Sequence, residues 1–365
     1  MPIPLFASPL EPYHEALAER LAAVVRSSRY ILGPEVAAFE REFADYLGVA
    51  HCVGVANGTD ALTIALRALG VGEGDEVVMP SLTFYATAEA AVNAGAVPVF
   101  CDVDPETYCA TRETVEAVVT ERTRAIVPVH LFGNVVDVSP LRELGLPVLE
   151  DAAQAAGATL GDRRAGALGD AATFSFFPSK NLGGLGDGGA IVTDRTDVAD
   201  AARKLRFHGS RDKQTFEEVG YNSRLDELQA AALRVLLPEL DAWTAARRAA
   251  AAAYEELGLG GVAGLRLPRP GEGVGHAYHL YVARHDRADE LVAALGERGV
   301  QARGYYRRPV HLQPAMERFG GSALDLPVTA ELARTNVALP MGTGLDRAAA
   351  AEVVAACADA VPAAV

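Results

Sequence analysis

The chain has 365 residues, 50% of them hydrophobic and 22% charged, with a formal net charge of −15. That length exceeds one ordinary core and predicts two soluble, globular domains. The acidic balance argues against nucleic acid or an anionic membrane surface as partner, since both need a basic face, and leaves room for an anionic small molecule in a local basic pocket.

The amino-terminal run Met1-Pro-Ile-Pro-Leu-Phe-Ala lacks the basic and apolar regions of a signal peptide, so a cytoplasmic protein is expected. Helical spacing of apolar residues covers 14–27, and Gly33-Pro34 restarts a helix over 35–47, with proline in the first turn where a missing N–H is harmless. Short apolar runs then alternate with helical stretches. Strands are expected at 52–56, 76–80, 97–103, 125–129, 147–150, 171–176 and 189–193, and helices at 60–69 and 87–94. This alternation is that of a mainly parallel sheet covered by helices on both faces, an α/β fold. Beyond Asn222 come helices at 225–237 and 239–257, separated at Pro238, and then a Gly/Pro-rich stretch at 258–275. Strands at 279–283 and 300–306 around a helix at 288–298 complete a smaller α+β domain. The expected division is an amino-terminal segment at 1–30 packing near the small domain, a large domain at 31–244 and a small one at 245–365. The Ala-rich tail 348–365, interrupted by Glu352, Asp359 and Pro362, reads as an amphipathic helix and not a membrane span. Cys52, Cys101, Cys109 and Cys357 show no metal or disulfide spacing, so buried thiols and no metal site are expected.

Three places carry chemistry. Asn57-Gly58-Thr59-Asp60 follows a strand and opens a helix, whose free N–H groups and dipole favour a phosphate; an ordinary N-cap turn is the plainer reading. Asp151 ends the apolar run 147–150 at the carboxyl edge of the sheet, where ligands of open α/β sheets lie, although it could equally cap a helix at 152–156. Gln154 could complete that cap or touch the same ligand. Lys180 sits on a glycine-rich loop after alternating Thr173, Phe174, Ser175 and Phe176, and is either a solvated charge or an amine presented at the sheet edge. A lysine amine can hold an aldehyde cofactor as a Schiff base, and a carboxylate can keep a pyridine nitrogen protonated.

Asn57-Gly-Thr-Asp-Ala-Leu62, Gly74-Asp-Glu-Val-Val-Met-Pro80, Glu150-Asp-Ala-Ala-Gln154, Ser175-Phe-Phe-Pro-Ser-Lys-Asn-Leu-Gly183 and Gly220-Tyr-Asn-Ser-Arg-Leu-Asp-Glu-Leu-Gln-Ala-Ala231 stand in this order along the chain. Together they resemble the pyridoxal phosphate (PLP)-dependent sugar-nucleotide aminotransferases of the DegT–StrS family. The resemblance implies fold type I, with a mainly parallel seven-stranded sheet sandwiched by helices and a smaller α+β carboxy-terminal domain. It implies Lys180 as Schiff-base lysine and acid/base, Asp151 as partner of the pyridine nitrogen, and Gln154 on the side of the phenolic oxygen. Phe84 would stack on the ring. Gly58, Thr59 and Ser175 would hold the phosphate, with Asn222 reaching in from the neighbouring subunit of a homodimer.

The implied reaction is transamination of a nucleotide-linked keto-deoxyhexose by L-glutamate in amino-sugar biosynthesis, with pyridoxamine 5'-phosphate formed in the half-reaction. The loop 180–189 together with Asn222-Ser-Arg-Leu-Asp226 resembles enzymes aminating C-3 of a dTDP-sugar more than those aminating C-4. Dehydrases of the same fold carry histidine at the position of Lys180. A 4-keto sugar, a cyclitol such as an inosose, and a non-catalytic regulator on the same fold remain alternatives. Tyr305-Tyr306-Arg-Arg-Pro309-Val-His311 resembles the family's His-Tyr-x-x-Pro-x-His stretch, with Tyr305 in place of the first histidine. Tyr306 and His311 are therefore candidate substrate residues or packing between domains. Arg211 and Lys213 could meet a diphosphate or form an exposed charged loop.

Overall fold

The computed structural model describes residues 2–8 and 10–360, so the last five residues of the expected small domain and helical tail lie outside the described residues. Seven strands form one sheet: β1 (His51–Val55), β2 (Glu76–Pro80), β3 (Val97–Cys101), β4 (Thr123–Ile126), β5 (Leu149–Asp151), β6 (Ala171–Ser175) and β7 (Gly189–Thr193). Their order is β3-β2-β4-β5-β6-β7-β1, with β4 joined to β5 by the parallel bridges Ile126–Val148 and Val129–Asp151. Only β7 runs antiparallel to its neighbours. Alternation within single strands divides the core. Val77 and Met79 of β2 pack on one face with Val53, Val55 and Ile191, while Val78 packs on the other with Cys52, Phe174 and Val192. A two-residue side-chain period with both faces apolar accounts for the unbroken hydrophobic runs in the sequence.

Helices α1 (His14–Ser27), α2 (Pro34–Leu47), α3 (Gly58–Ala68), α4 (Ala86–Asn93), α5 (Thr196–Leu205) and α6 (Glu227–Leu236) cover this sheet. Helix α6 ends in a 3-10 turn, Leu237–Glu239, with Pro238 inside it. Helix α7 (Leu240–Glu256) then runs through residue 245 without interruption. It packs in a separate apolar cluster with α8 (Ala288–Glu297), α10 (Arg347–Ala360) and the antiparallel pair β8 (Tyr281–Arg284) and β9 (Asn336–Leu339). Helix α9 (Pro327–Thr335) leads into β9. Near the amino terminus, Ile3 pairs with Val300 and Phe6 with Met341, whereas α1 packs on α6.

Two expected elements do not form. Residues 300–306 are not a strand; beyond the bridge from Arg303 to Ala338, the Tyr305 N–H turns to Asn336 Oδ1 at 2.6 Å, and the chain leaves the sheet to bring two tyrosines to a cavity. The partner of β8 is β9 instead. Residues 152–156 form turns and no helix, so Asp151 is not a helix cap. Among the described residues no helix is long and apolar enough to cross a membrane, and no group of metal-ligating side chains converges. All four cysteines are buried thiols.

Candidate active site

The carboxyl ends of the parallel strands deliver the chemistry-bearing residues to one place. Asp151 closes β5, Gly58 opens α3 after β1, Phe84 follows β2, Ser175 ends β6 and Lys180 lies on the turn beyond it. Between them is a cavity of about 750 Å³ that all five line, together with Thr59, Gln154 and Tyr306. A cleft there is what an open α/β sheet offers wherever its connections diverge.

Asp151 is 5% exposed. Its Oδ2 accepts a hydrogen bond from Thr87 Oγ1 at 2.8 Å, and Oδ1 accepts from the Ala153 N–H at 3.2 Å. Thr87 is steadied by Thr83, 3.1 Å away. Burial pushes the Asp151 carboxyl above its usual range; the Thr87 and Ala153 donors and the Lys180 charge oppose that shift. Lys180 is shifted in the complementary sense. Desolvation lowers its amine to about 8, with Asp151 pulling the other way. The preceding residue of β5 alternates to the far side of the strand. There Glu150 accepts from His130 Nε2 at 2.7 Å and from the N–H groups of Gly166, Leu168 and Gly169 at 2.8, 2.7 and 2.6 Å. His130 also donates its own N–H to the Asp151 carbonyl at 3.0 Å. These bonds fix the strand end on which Asp151 is carried.

The turn into α3 forms a cradle. Asn57 Oδ1 accepts the Asp60 N–H at 2.8 Å, which leaves the N–H groups of Gly58 and Thr59 ahead of any intrahelical acceptor. Side chains are excluded by contact: a Cβ on Gly58 would lie 2.8 Å from Ser175 Cβ, and one on Gly189 would lie 2.4 Å from the Asn57 carbonyl oxygen. Helix end, serine and close backbone together make an anion site.

On the opposite wall, Gln154 Oε1 accepts the Phe132 N–H at 2.8 Å and its Nε2 donates to Tyr306 Oη at 3.1 Å. Phe84 is 56% exposed, its ring tilted 6.0 Å from Tyr306. The remaining candidates lie elsewhere. His311 is buried and does not line the cavity, its Nδ1 2.5 Å from Ser81 Oγ. Arg211 pairs with Glu217 at 3.6 Å and Lys213 lies over the Phe207 ring at 5.0 Å, both on an exposed loop. Asn222 is exposed and lines an adjoining cavity that shares Asn57 and Asp187 with the first. Sequence reasoning passed over Thr87, Asn181 and His279. Thr87 resembles any first-turn threonine, and the two others acquire partners only through contacts distant in sequence.

The donor set fits PLP. Lys180 offers an amine that forms no side-chain hydrogen bond among the described residues. Asp151 has accepted two donors and keeps lone pairs for a third. The cradle takes a phosphate. Fold and site thus define a PLP-dependent transferase of fold type I. The model of the DegT/DnrJ/EryC1/StrS aminotransferase family matches residues 13–358, and the chain belongs to that family, whose aminotransferases depend on PLP.

The dTDP-3-amino-3,4,6-trideoxy-alpha-D-glucose transaminase of Streptomyces venezuelae is 46% identical over 351 residues, 94% of this chain and 92% of that protein. A pleiotropic regulatory protein of Geobacillus stearothermophilus is also 46% identical, over 88% of each chain. The crystal structure of S. venezuelae DesV in complex with a ketimine intermediate matches with a TM-score of 0.95 and 42% identity, covering 100% of this chain and 99% of that one.

Proposed function

We propose that the chain transfers an amino group from L-glutamate to C-3 of a nucleotide-diphosphate-linked keto-deoxyhexose, most simply a dTDP-3-keto-6-deoxyhexose, in amino-sugar biosynthesis in the cytoplasm. The observation that carries this reading is the presence of Lys180, Asp151 and the Gly58–Thr59 helix end in one cavity. The similarity to a dTDP-3-amino-sugar transaminase over nearly the whole chain supports C-3 over C-4 or a cyclitol. Likeness to a regulatory protein favours no second reading, because a regulator needs neither a desolvated lysine nor a buried carboxylate.

When bound, PLP supplies an aldehyde that takes up the amino group and a pyridinium ring that draws electrons from the neighbouring carbon. In our reading Asp151 would accept the pyridinium N–H and keep it protonated, with Thr87 and Ala153 holding the carboxylate in place. Gly58, Thr59 and Ser175 would anchor the phosphate, Gln154 would serve the phenolic oxygen and Phe84 would cover the ring. Lys180 would take up at Nζ the proton leaving the substrate carbon beside the amino nitrogen, which requires a free base. An amine lowered to about 8 has a substantial neutral fraction near neutral pH, where an exposed lysine has almost none. Tyr306 contacts the substrate, and Asn222, with Arg211 and Lys213, reaches the site of a second copy in a homodimer. In our reading residues 31–244 form the cofactor-binding domain and, among the described residues, 245–360 the small one.

The test combines spectrum and turnover. Purified protein should take up PLP with visible absorbance that Lys180→Ala abolishes, and with glutamate it should aminate a 3-keto nucleotide sugar. Turnover of the 4-keto sugar alone would overturn the C-3 assignment, and a colourless wild type that binds no PLP would overturn the enzyme reading.

A further inference from the structure

The cavity wall also carries a histidine to which the reading above gives no task. His279, just ahead of β8, is 4% exposed and lines the cavity with Lys180. Its ring is oriented by Asn181, the residue after the lysine, whose Oδ1 lies 3.2 Å from His279 Nδ1. The Asn181 amide has only one orientation that satisfies its partners. Its Nδ2 faces two backbone carbonyls, Ala277 O at 3.0 Å and Ala156 O at 3.4 Å. A carbonyl only accepts, so that end is the NH₂ and the other end is the oxygen. An amide oxygen also only accepts, so the hydrogen of the neutral ring sits on Nδ1. Nε2 is then a bare lone pair. No protein donor meets it among the described residues.

The ring stays neutral for reasons visible around it. Burial, then the charges of Lys180 and Arg247, push His279 well below its ordinary pKa. Arg247, on α7, is itself buried and donates to the carbonyl of Tyr278 at 3.0 Å and to Ser8 Oγ at 2.9 Å. The other titratable groups lining the cavity are Asp151 at the end of β5, Asp60 on α3, Glu89 on α4, Asp187 on the loop before β7, and Tyr305 and Tyr306.

We propose that His279 is a positioning residue for Lys180: its Nε2, fixed by Asn181 and left without a donor, accepts a hydrogen bond from the lysine ammonium when the amine is released from the cofactor and its stem rotates toward this wall of the cavity. The proposal rests on the reading of Lys180 given above. A lysine stem has four rotatable carbons, and an amine released into a cavity can wander from the carbon it must serve. A rigid acceptor on the wall limits that wandering and stabilises the charged form against desolvation. Asn181 adds a mechanical link, because one amide ties the lysine loop to the turn after Asp151 and to the segment bearing the acceptor. Amine and acceptor therefore move together.

The test follows the rate at which apo-protein takes up PLP into its visible band as pH is varied, because only the neutral amine attacks the aldehyde. Burial and Asp151 alone set the amine at about 8, and the added bond to His279 should place the wild-type midpoint above that. His279→Asn keeps a side-chain donor for Asn181 but removes the acceptor, so the midpoint should fall by about one unit, as expected for losing a bond to a charged group. His279→Gln places an amide oxygen near the Nε2 position and should restore the midpoint to within about 0.3 unit, less than that loss. In wild-type protein carrying ¹⁵N-histidine, NMR should find the Nδ1–H tautomer and an Nε2 signal that follows the lysine titration, a readout that needs no variant to fold. An unmoved midpoint in His279→Asn, an equal loss of PLP affinity in both variants with no shift, or an Nε2–H tautomer each overturns the proposal. If wild type takes up no PLP, or Lys180→Ala takes it up equally well, the reading of Lys180 fails instead.

Discussion

At Asp151, burial and role pull in opposite directions. Removing a carboxylate from water raises its pKa, while the task assigned to it needs the anion. Thr87 is the main counterweight within hydrogen-bond reach, at 2.8 Å from Oδ2, with the Ala153 N–H second. Thr87→Val keeps the volume and removes that donor. The Asp151 carboxyl, already raised, should then rise further, so the protonated fraction grows at any given acidic pH. The acid limb of kcat/KM should therefore move to higher pH by about one to two units, the equivalent of one hydrogen bond to a charged group. Turnover at pH 6 should fall more than turnover at pH 8. Profiles of the two proteins on the same substrates check this; coincident acid limbs would mean that Thr87 does not set the state of Asp151. The residue is invisible in the sequence for a physical reason, since its partner stands 64 positions away and the intervening chain only meets it across the sheet edge.

Elements depend on similar remote carboxylates. Helix α2 begins at Gly33-Pro34 with no side-chain cap of its own. Its first N–H groups are satisfied instead by Glu227 of α6, whose oxygens accept from Gly33 at 2.8 Å, Glu35 at 2.9 Å and Val36 at 2.8 Å. A buried anion at a helix amino terminus gains from both the donors and the dipole. Glu227→Ala strands several buried donors and should lower stability by about 3 kcal/mol, the upper part of the range for one unsatisfied buried group. Urea unfolding measures this, and a change below about 0.5 kcal/mol, the scatter of ordinary surface substitutions, would show that water replaces the cap. The start of α2 was nevertheless legible, because proline in a first turn carries its own signal. So were the seven strands, whose buried faces leave apolar runs flanked by breakers. Residues 300–306 misled because Val300, Ala302, Tyr305 and Tyr306 satisfy a strand pattern, while Asn336 and the cavity determine where the tyrosines go. Asp151, Lys180 and the Asn57–Asp60 turn were readable as chemistry from residue type and position. Asn181, His279 and Thr87 were not, since each meets its partner only once the chain has folded.

For the whole molecule, charge poses the remaining question. The cavity of one chain is lined by Asp60, Glu89, Asp151 and Asp187, and Lys180 is the only lysine or arginine among its lining residues. The nucleotide diphosphate and dicarboxylic amino donor proposed above would need more positive charge than that. Arg211 and Lys213 stand on an exposed loop that also presents Phe216 at 60% and Val219 at 84% exposure. Asn222 opens onto a cavity that shares Asn57 and Asp187 with the catalytic one. Apolar side chains offered to water beside cations are the usual surface of a partner contact, which accords with the homodimer proposed above. Mixing decides whether Asn222 acts within its own chain or across the interface. Lys180→Ala and Asn222→Ala homodimers should each be inactive or nearly so. If the asparagine acts across the interface, a heterodimer pairs the intact Lys180 of one subunit with the intact Asn222 of the other, and one of its two sites is native. Dissociating and reassociating an equal mixture should then recover activity absent from both parents. If Asn222 serves its own subunit, every site in the mixture lacks either the lysine or the asparagine, and no activity returns.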